Sequence, residues 1–272
     1  MISDGRGLCV LLYRFEEGAI VANIDSYLST EEIGRIVSFL GYGRLSAPVW
    51  FLGFEEDLGK MDSEDALRNL KGRGSFEDVM DLHEAHLRLW ERGQPIDIEK
   101  NPPSTQVWQF MAKIMRACDR HDDWRDLNLA KKYIRFKLGR RESDTFLTEL
   151  SPIPAGDAKD TKWMTMFKSL DPELDSKIKD RRRDLQRILK ENAPPLVICY
   201  GITKADAFAE LLNVNWRSVC TGVYASLDSR RLLLPFFGNG QMGHAVIEEL
   251  LKRGLLRSGY CSLDPTNLSS VS

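Results

Sequence analysis

Four short apolar runs constrain this chain more than anything else in it: PVWFLG (48–53), TFLTELSP (145–152), PLVICYG (195–201) and RLLLPFFG (231–238). Each has the length of a β-strand, ends in a turn-former or polar residues, and shows little strict alternation. A strand with one face in water alternates. One covered on both faces is apolar throughout, and this is how strands of a parallel sheet between helices read.

Helical patterns lie between the runs. From Ser104, a good N-cap, Val107, Phe110, Met111, Ile114, Met115 and Cys118 recur with a 3.6 period. A second helix is predicted over about 175–191, with Ile178, Leu185, Ile188 and Leu189 on one face and Pro194-Pro195 stopping it. A third covers about 203–212, and the last runs from near Gly243 to Arg253, with Gly254 as its C-terminal cap. Strand–helix alternation implies right-handed crossovers and a layered α/β domain. The expected fold is therefore a three-layer α/β/α arrangement with a central four-stranded parallel sheet. One domain spans 1–272, with a core over about 45–255, an N-terminal extension (1–44) and a polar tail (259–272). LCVLLYRF (8–15) predicts an extra strand ahead of the main unit. The Leu58–Lys100 insertion is too long for a bare loop and predicts helices of its own, one over Phe76–Trp90.

Composition narrows the function classes. A net charge of −2 gives no global attraction to nucleic acid or anionic membrane, so any polyanion binding must come from local patches. The five cysteines are odd in number, scattered and free of metal-ligand spacing, which argues for a reducing compartment and against a structural zinc or disulfide frame. No stretch approaches the roughly 18 apolar residues of a membrane span, and no signal peptide is evident; a cytoplasmic location is expected.

The strand ends carry the chemistry. Strand one runs into Gly53, Phe54, Glu55, Glu56 and Asp57; strand two into Glu149, Leu150 and Ser151; strand three into Tyr200-Gly201; strand four into Phe236-Phe237-Gly238-Asn239-Gly240-Gln241-Met242-Gly243-His244. In a parallel sheet these sets converge on one edge, where ligands of open α/β sheets bind. A glycine-rich loop feeding a helix start adds backbone N–H groups suited to phosphate. The bland alternatives are a solvated acidic loop, with Asp57 capping the next helix, ordinary turn chemistry at Asn239 and Gln241, and a structural His244.

Together, GFEED, TELSPIPAG and FFGNGQMGH resemble the three site motifs of the uracil-DNA glycosylase superfamily, over roughly residues 45–255, and look most like its divergent bacterial branch with a Gly-x-Glu-Glu loop. The resemblance implies a hydrolase that removes uracil or another deaminated base flipped out of DNA, with DNA as partner and no metal or organic cofactor. It places the water-positioning carboxylate at Glu55 or Glu56. It places base contacts at Gly53, Phe54, Glu149, Ser151, Asn239 and His244, and DNA contacts at Gly238, Gly240 and Gln241. Two departures stand out: Phe236-Phe237 occupy the place of a His-Pro-Ser motif, and Glu149 stands where the family carries Asn. An ionised Glu149 only accepts hydrogen bonds and would repel O4 of uracil.

Basic residues in 131–141 and 179–187, Arg140, Arg141 and Arg182 among them, are candidates for the DNA backbone, although charge runs are usually solvated helix faces. Arg182, at Ile178+4 and Leu185−3, is placed on the apolar face, where it snorkels or pairs an acid. The alternatives are a nucleic-acid- or nucleotide-binding protein without the chemistry, and a hydrolase holding Mg²⁺ on Glu55, Glu56 and Glu149.

Overall fold

A computed structural model describes residues 28–56, 64–103, 105–154, 162–228 and 230–256. The strands are β1 (Gly41–Gly43), β2 (Val49–Gly53), β3 (Val79–Met80), β4 (Trp90–Glu91), β5 (Gln94–Pro95), β6 (Thr145–Glu149), β7 (Leu196–Tyr200), β8 (Arg217–Cys220), β9 (Val223–Ala225) and β10 (Arg231–Leu234). The helices are α1 (Thr30–Ser38), α2 (Glu64–Arg73), α3 (Leu82–His86), α4 (Gln106–Cys118), α5 (Leu127–Phe136), α6 (Lys162–Leu170), α7 (Leu174–Asn192), α8 (Ala205–Leu212) and α9 (His244–Lys252).

The four apolar runs are β6, β2, β7 and β10, which lie side by side in that order and are all parallel. They do not make the whole sheet. It has eight strands, ordered β3-β1-β6-β2-β7-β10-β9-β8, and is mixed: β1 is antiparallel to β6, and β9 to both β10 and β8. The added strands have only two to four residues each, too short for their sequences to carry a strand signal. In β1 the pairing requires glycine: Gly43 has φ +108, and a Cβ there would meet the Thr145 carbonyl of β6.

Successive side chains of a strand point to opposite faces, and helices cover both. Val49, Phe51, Leu196, Ile198, Leu232 and Leu234 pack in one cluster with residues of α3, α4, α5 and α9. Trp50, Leu52, Val197, Cys199 and Leu233 pack in another with Leu185, Ile188 and Leu189 of α7 and Phe208 and Leu211 of α8. A third cluster joins α1, α2, α6 and the start of α7. Residues 28–43, counted with the extension, thus contribute to core and sheet. Gly254, at φ +65, closes α9 as expected.

Two local expectations give way. The insertion holds helices as expected, α2 and α3, but the helix of the Phe76–Trp90 segment is shorter than predicted, covering only Leu82–His86. Asp78 accepts a backbone bond from Leu40, residues 79–80 pair with β1, and the Asp81 side chain then caps α3 by accepting from the N–H groups of His83 and Glu84. Thr105, rather than Ser104, accepts from the Trp108 N–H at the start of α4. Ser104 and the 8–15 strand fall outside the described residues. Among the described residues no helix is long and apolar enough to cross a membrane.

The arginine of the apolar face is Arg181, not Arg182. The buried stripe of α7 is Leu174, Arg181, Leu185, Ile188 and Leu189, whereas Ile178 sits at its edge. Counting from Ile178 therefore displaced the stripe by one residue, about 100° around the helix. Arg181 is 4% exposed and donates from Nε to the Phe39 carbonyl (2.9 Å), from Nη1 to Leu150 (3.1 Å) and from Nη2 to Glu149 (2.9 Å). Arg182 instead reaches Glu210 of α8 at 3.3 Å near the surface. Replacing Arg181 by Met strands three carbonyls, and urea unfolding should show a loss of roughly 2–5 kcal/mol. Arg182→Ala should cost no more than about 1 kcal/mol, as exposed pairs do.

Candidate functional site

Parallel pairing sets Gly53 of β2 beside Glu149 of β6, with β7 on the other side of β2. The Tyr200 hydroxyl, at the end of β7, donates to Glu149 Oε1 at 2.7 Å and so bridges across β2. Only glycine at position 53 leaves room for this: a Cβ there would overlap both the Glu149 carboxyl and the Tyr200 hydroxyl. The ladder continues past the strands, with Leu150 N–H donating to the Gly53 carbonyl (2.9 Å) and Ser151 N–H to that of Phe54 (2.7 Å). Phe54 and Ser151 are thereby held together at the rim. The Ser151 hydroxyl donates to the Ile153 carbonyl at 2.9 Å, and the Lys204 ammonium lies 3.8 Å over the Phe54 ring.

Glu149 Oε2 is buried and has no hydrogen-bond partner. Burial, assisted by the charge of Glu56, pushes the Glu149 carboxyl up to about 8, against the opposing pull of the Tyr200 hydrogen bond and Arg181. Glu149 is therefore a neutral acid at pH 7. With Oε1 accepting from Tyr200, its proton belongs on Oε2.

The two glutamates of the first loop have separate fates. Glu56 forms an ion pair with Arg73, whose side chain is 9% exposed. Tyr42 and His86 stand close enough to feel both charges. The Tyr42 hydroxyl is drawn into the Glu56–Arg73 pair, whereas Arg73 Nε is, like Glu149 Oε2, buried without a partner. Buried polar atoms are normally paired, so these two are open to water or a ligand. His86 donates from Nδ1 to the Leu82 carbonyl (2.8 Å) and lies against Tyr42 and Trp108; burial lowers it to about 4, so it is neutral. Glu55 follows Phe54 at the same rim, half-buried, and its charge acts on Glu149.

At the other side, Tyr200 stacks on Phe237 (4.8 Å between centroids) and more distantly on Phe236 (6.4 Å). A Cβ on Gly238 would press on the Phe236 ring. Asn239 and Gly240, at φ +53 and +70, form an exposed turn. Gly240 N–H reaches Gln106 Oε1 (3.3 Å), and Gln241 N–H donates to the Gly238 carbonyl (3.2 Å). His244 does not join Glu149 directly: the contacts run from Tyr200 through Phe237 and Phe110 to its ring.

Within the basic stretch over 131–141, Arg140 and Arg141 are engaged by acids of the molecule itself. Arg140 bonds Asp81 (2.9 Å) and Glu99 (3.0 Å), and Arg141 bonds Glu84 (3.2 Å) with Glu77 at 3.8 Å. These arginines tie the loop before β6 to α3, a role that their spacing does not reveal. Nor do Glu55, Glu56 and Glu149 make a Mg²⁺ cage. Glu56 is held by Arg73, and among the described residues no three His, Cys, Asp or Glu side chains converge as a metal requires.

Sequence reasoning missed Tyr42, Arg73, His86 and Arg181. Each comes from an element far away in the chain, and no motif announces it. No family model, curated protein or solved structure matches this chain.

A carboxyl with a raised pKa binds its proton more tightly folded than unfolded. Its contribution is full at acid pH and is lost as pH climbs from the ordinary carboxylate range through about 8. Wild-type stability should fall over that window by an amount on the order of a few kcal/mol, and Glu149→Gln should flatten the fall. Chemical denaturation at a series of pH values reads both.

Proposed function

We propose that this chain hydrolyses the N-glycosidic bond of a deaminated base, uracil first, flipped out of DNA. The observation that carries the reading is the neutral Glu149 carboxyl with its unpartnered Oε2. An ionised glutamate would oppose a base carbonyl. A protonated one presents a donor and an acceptor, as the carboxamide of Asn does. Burial thus supplies by protonation what the resembled family supplies by residue type.

The remaining roles follow from the charge arrangement. Arg73 pairs with Glu56, and Glu55, half-buried at the same rim with its charge acting on Glu149, is assigned as the carboxylate for the reaction on the resemblance of the GFEED loop. As the C1′–N bond breaks, its electron pair leaves with the base, and the base carbonyl gains charge beside the Glu149 O–H. Glu55 stabilises the oxocarbenium-like sugar and takes a proton from the water that forms the new C1′–O bond. Flipping costs a few kcal/mol, least for a poorly paired base. A second reading is favoured by the internal ion pairs of Arg140 and Arg141: the same site would act on a free deoxynucleoside rather than on DNA.

Single-turnover release of base, without added metal, tests this on oligonucleotides carrying uracil, hypoxanthine or xanthine and on deoxyuridine. Glu55→Gln should lower the rate by at least about 10²-fold. The wild-type rate should fall above about pH 8, as Glu149 ionises. Glu149→Gln keeps a donor and an acceptor, so it should retain activity and lose that alkaline fall. No release from any substrate would overturn the proposal, and release from deoxyuridine alone would favour the second reading.

A further inference from the structure

Lys113, on α4, is 8% exposed. Among the described residues no carboxylate lies within ion-pairing distance of it. Its Nζ sits 2.9 Å from Nε2 of His244 and 5.4 Å from the centre of the Phe110 ring. Other buried cations of the molecule are matched: Arg73 by Glu56, and Arg181 by three carbonyls. Among the described residues the hydrogen-bond partner of Lys113 Nζ is another base, the imidazole Nε2 of His244, to which the ammonium donates. Burial lowers both groups, and the charge of Lys113 lowers His244 further.

The surroundings add positive potential. His244 is the first residue of α9, and Gly243 before it offers no side-chain cap, so the N–H groups of the first turn have no side-chain acceptor. The charged groups facing the imidazole are Lys113 from α4, Arg125 from the segment before α5, and Glu248 one turn along α9. Glu248 is engaged by Arg125 at 2.7 Å. Trp124, 5.4 Å from the imidazole, stands edge-on to it.

We infer that Lys113 and His244, with the first turn of α9, bind a phosphate group. An oxyanion would accept from Lys113 Nζ and from a protonated His244 Nε2, in place of the hydrogen bond between them, and backbone N–H groups would serve its remaining oxygens. The site stands at the far end of the ring contacts that lead through Phe110, Phe237 and Tyr200 to Glu149. The phosphate site itself is independent of the proposed hydrolysis and rests on that reading only for the source of the phosphate, either the DNA backbone or a free nucleotide.

The test is the titration of the His244 ring followed by NMR in the full chain, with inorganic phosphate against chloride at equal ionic strength. Phosphate should raise the His244 midpoint by roughly one pH unit, about tenfold tighter binding to the charged form. Lys113→Met, its fold checked by circular dichroism, should abolish the response, and Lys113→Arg should keep it. An unmoved midpoint, an equal shift with chloride, or an equal shift in Lys113→Met overturns the site. Competition by an oligonucleotide without terminal phosphates assigns the backbone as the source; competition by deoxyuridine monophosphate alone assigns a free nucleotide. Competition by neither overturns the nucleotide assignment. Base release without phosphate binding removes this site and leaves the glycosidase reading standing; phosphate binding without base release does the reverse.

Discussion

Arg181 puts a guanidinium from the inner face of α7 against the carbonyls of Phe39, Glu149 and Leu150, backbone oxygens at the edge of the sheet. A buried carbonyl without a donor is expensive, and three of them lie where β6 ends and the chain from α1 enters β1. One planar group with five N–H donors serves all three. Because two of these carbonyls belong to Glu149 and its neighbour, the contact also fixes the backbone from which the Glu149 side chain leaves the sheet. The rim therefore has a fixed geometry where strands usually fray into loops.

On that base the molecule separates its charges. Glu56 pairs with Arg73, while burial, assisted by the charge of Glu56, raises the Glu149 carboxyl against the pull of Tyr200 and Arg181. At the opposite end Lys113 and His244 face each other with no acid between them. The aromatic contacts of Tyr200, Phe237 and Phe110 connect the two ends. An uncharged hydrogen-bonding group, a wall of rings and a cationic end suit the base, the ring faces and the phosphate of a nucleotide, and the proposals for hydrolysis and for phosphate binding both draw on this arrangement.

Some of this was legible in advance. Val49–Gly53, Thr145–Glu149, Leu196–Tyr200 and Arg231–Leu234 are apolar because both faces of the sheet are covered, and that condition writes itself directly into residue type. Gly41–Gly43 and Val223–Ala225 were not legible, since they are strands only because a longer neighbour offers its edge. The Phe76–Trp90 segment holds a shorter helix than its apolar spacing predicts for a related reason: pairing of residues 79–80 with β1 takes its first part, and the Asp81 cap starts the helix only at Leu82. Arg182 was misplaced because a stripe anchored on Ile178, a residue at its edge, lands one position from the true one.

The sequence by itself determined that this is an α/β chain, that four buried strands end at one rim, and that Gly53, Glu55, Glu56 and Glu149 stand there, because burial and strand polarity are encoded locally. Tertiary structure decided what those residues are. It made Glu149 a neutral acid held by Tyr200, bound Glu56 to Arg73, spent Arg140 and Arg141 on Asp81, Glu99 and Glu84, and set Lys113 against His244. Protonation state and ion pairing depend on burial and on charges brought from distant parts of the chain, and neither can be counted along one segment.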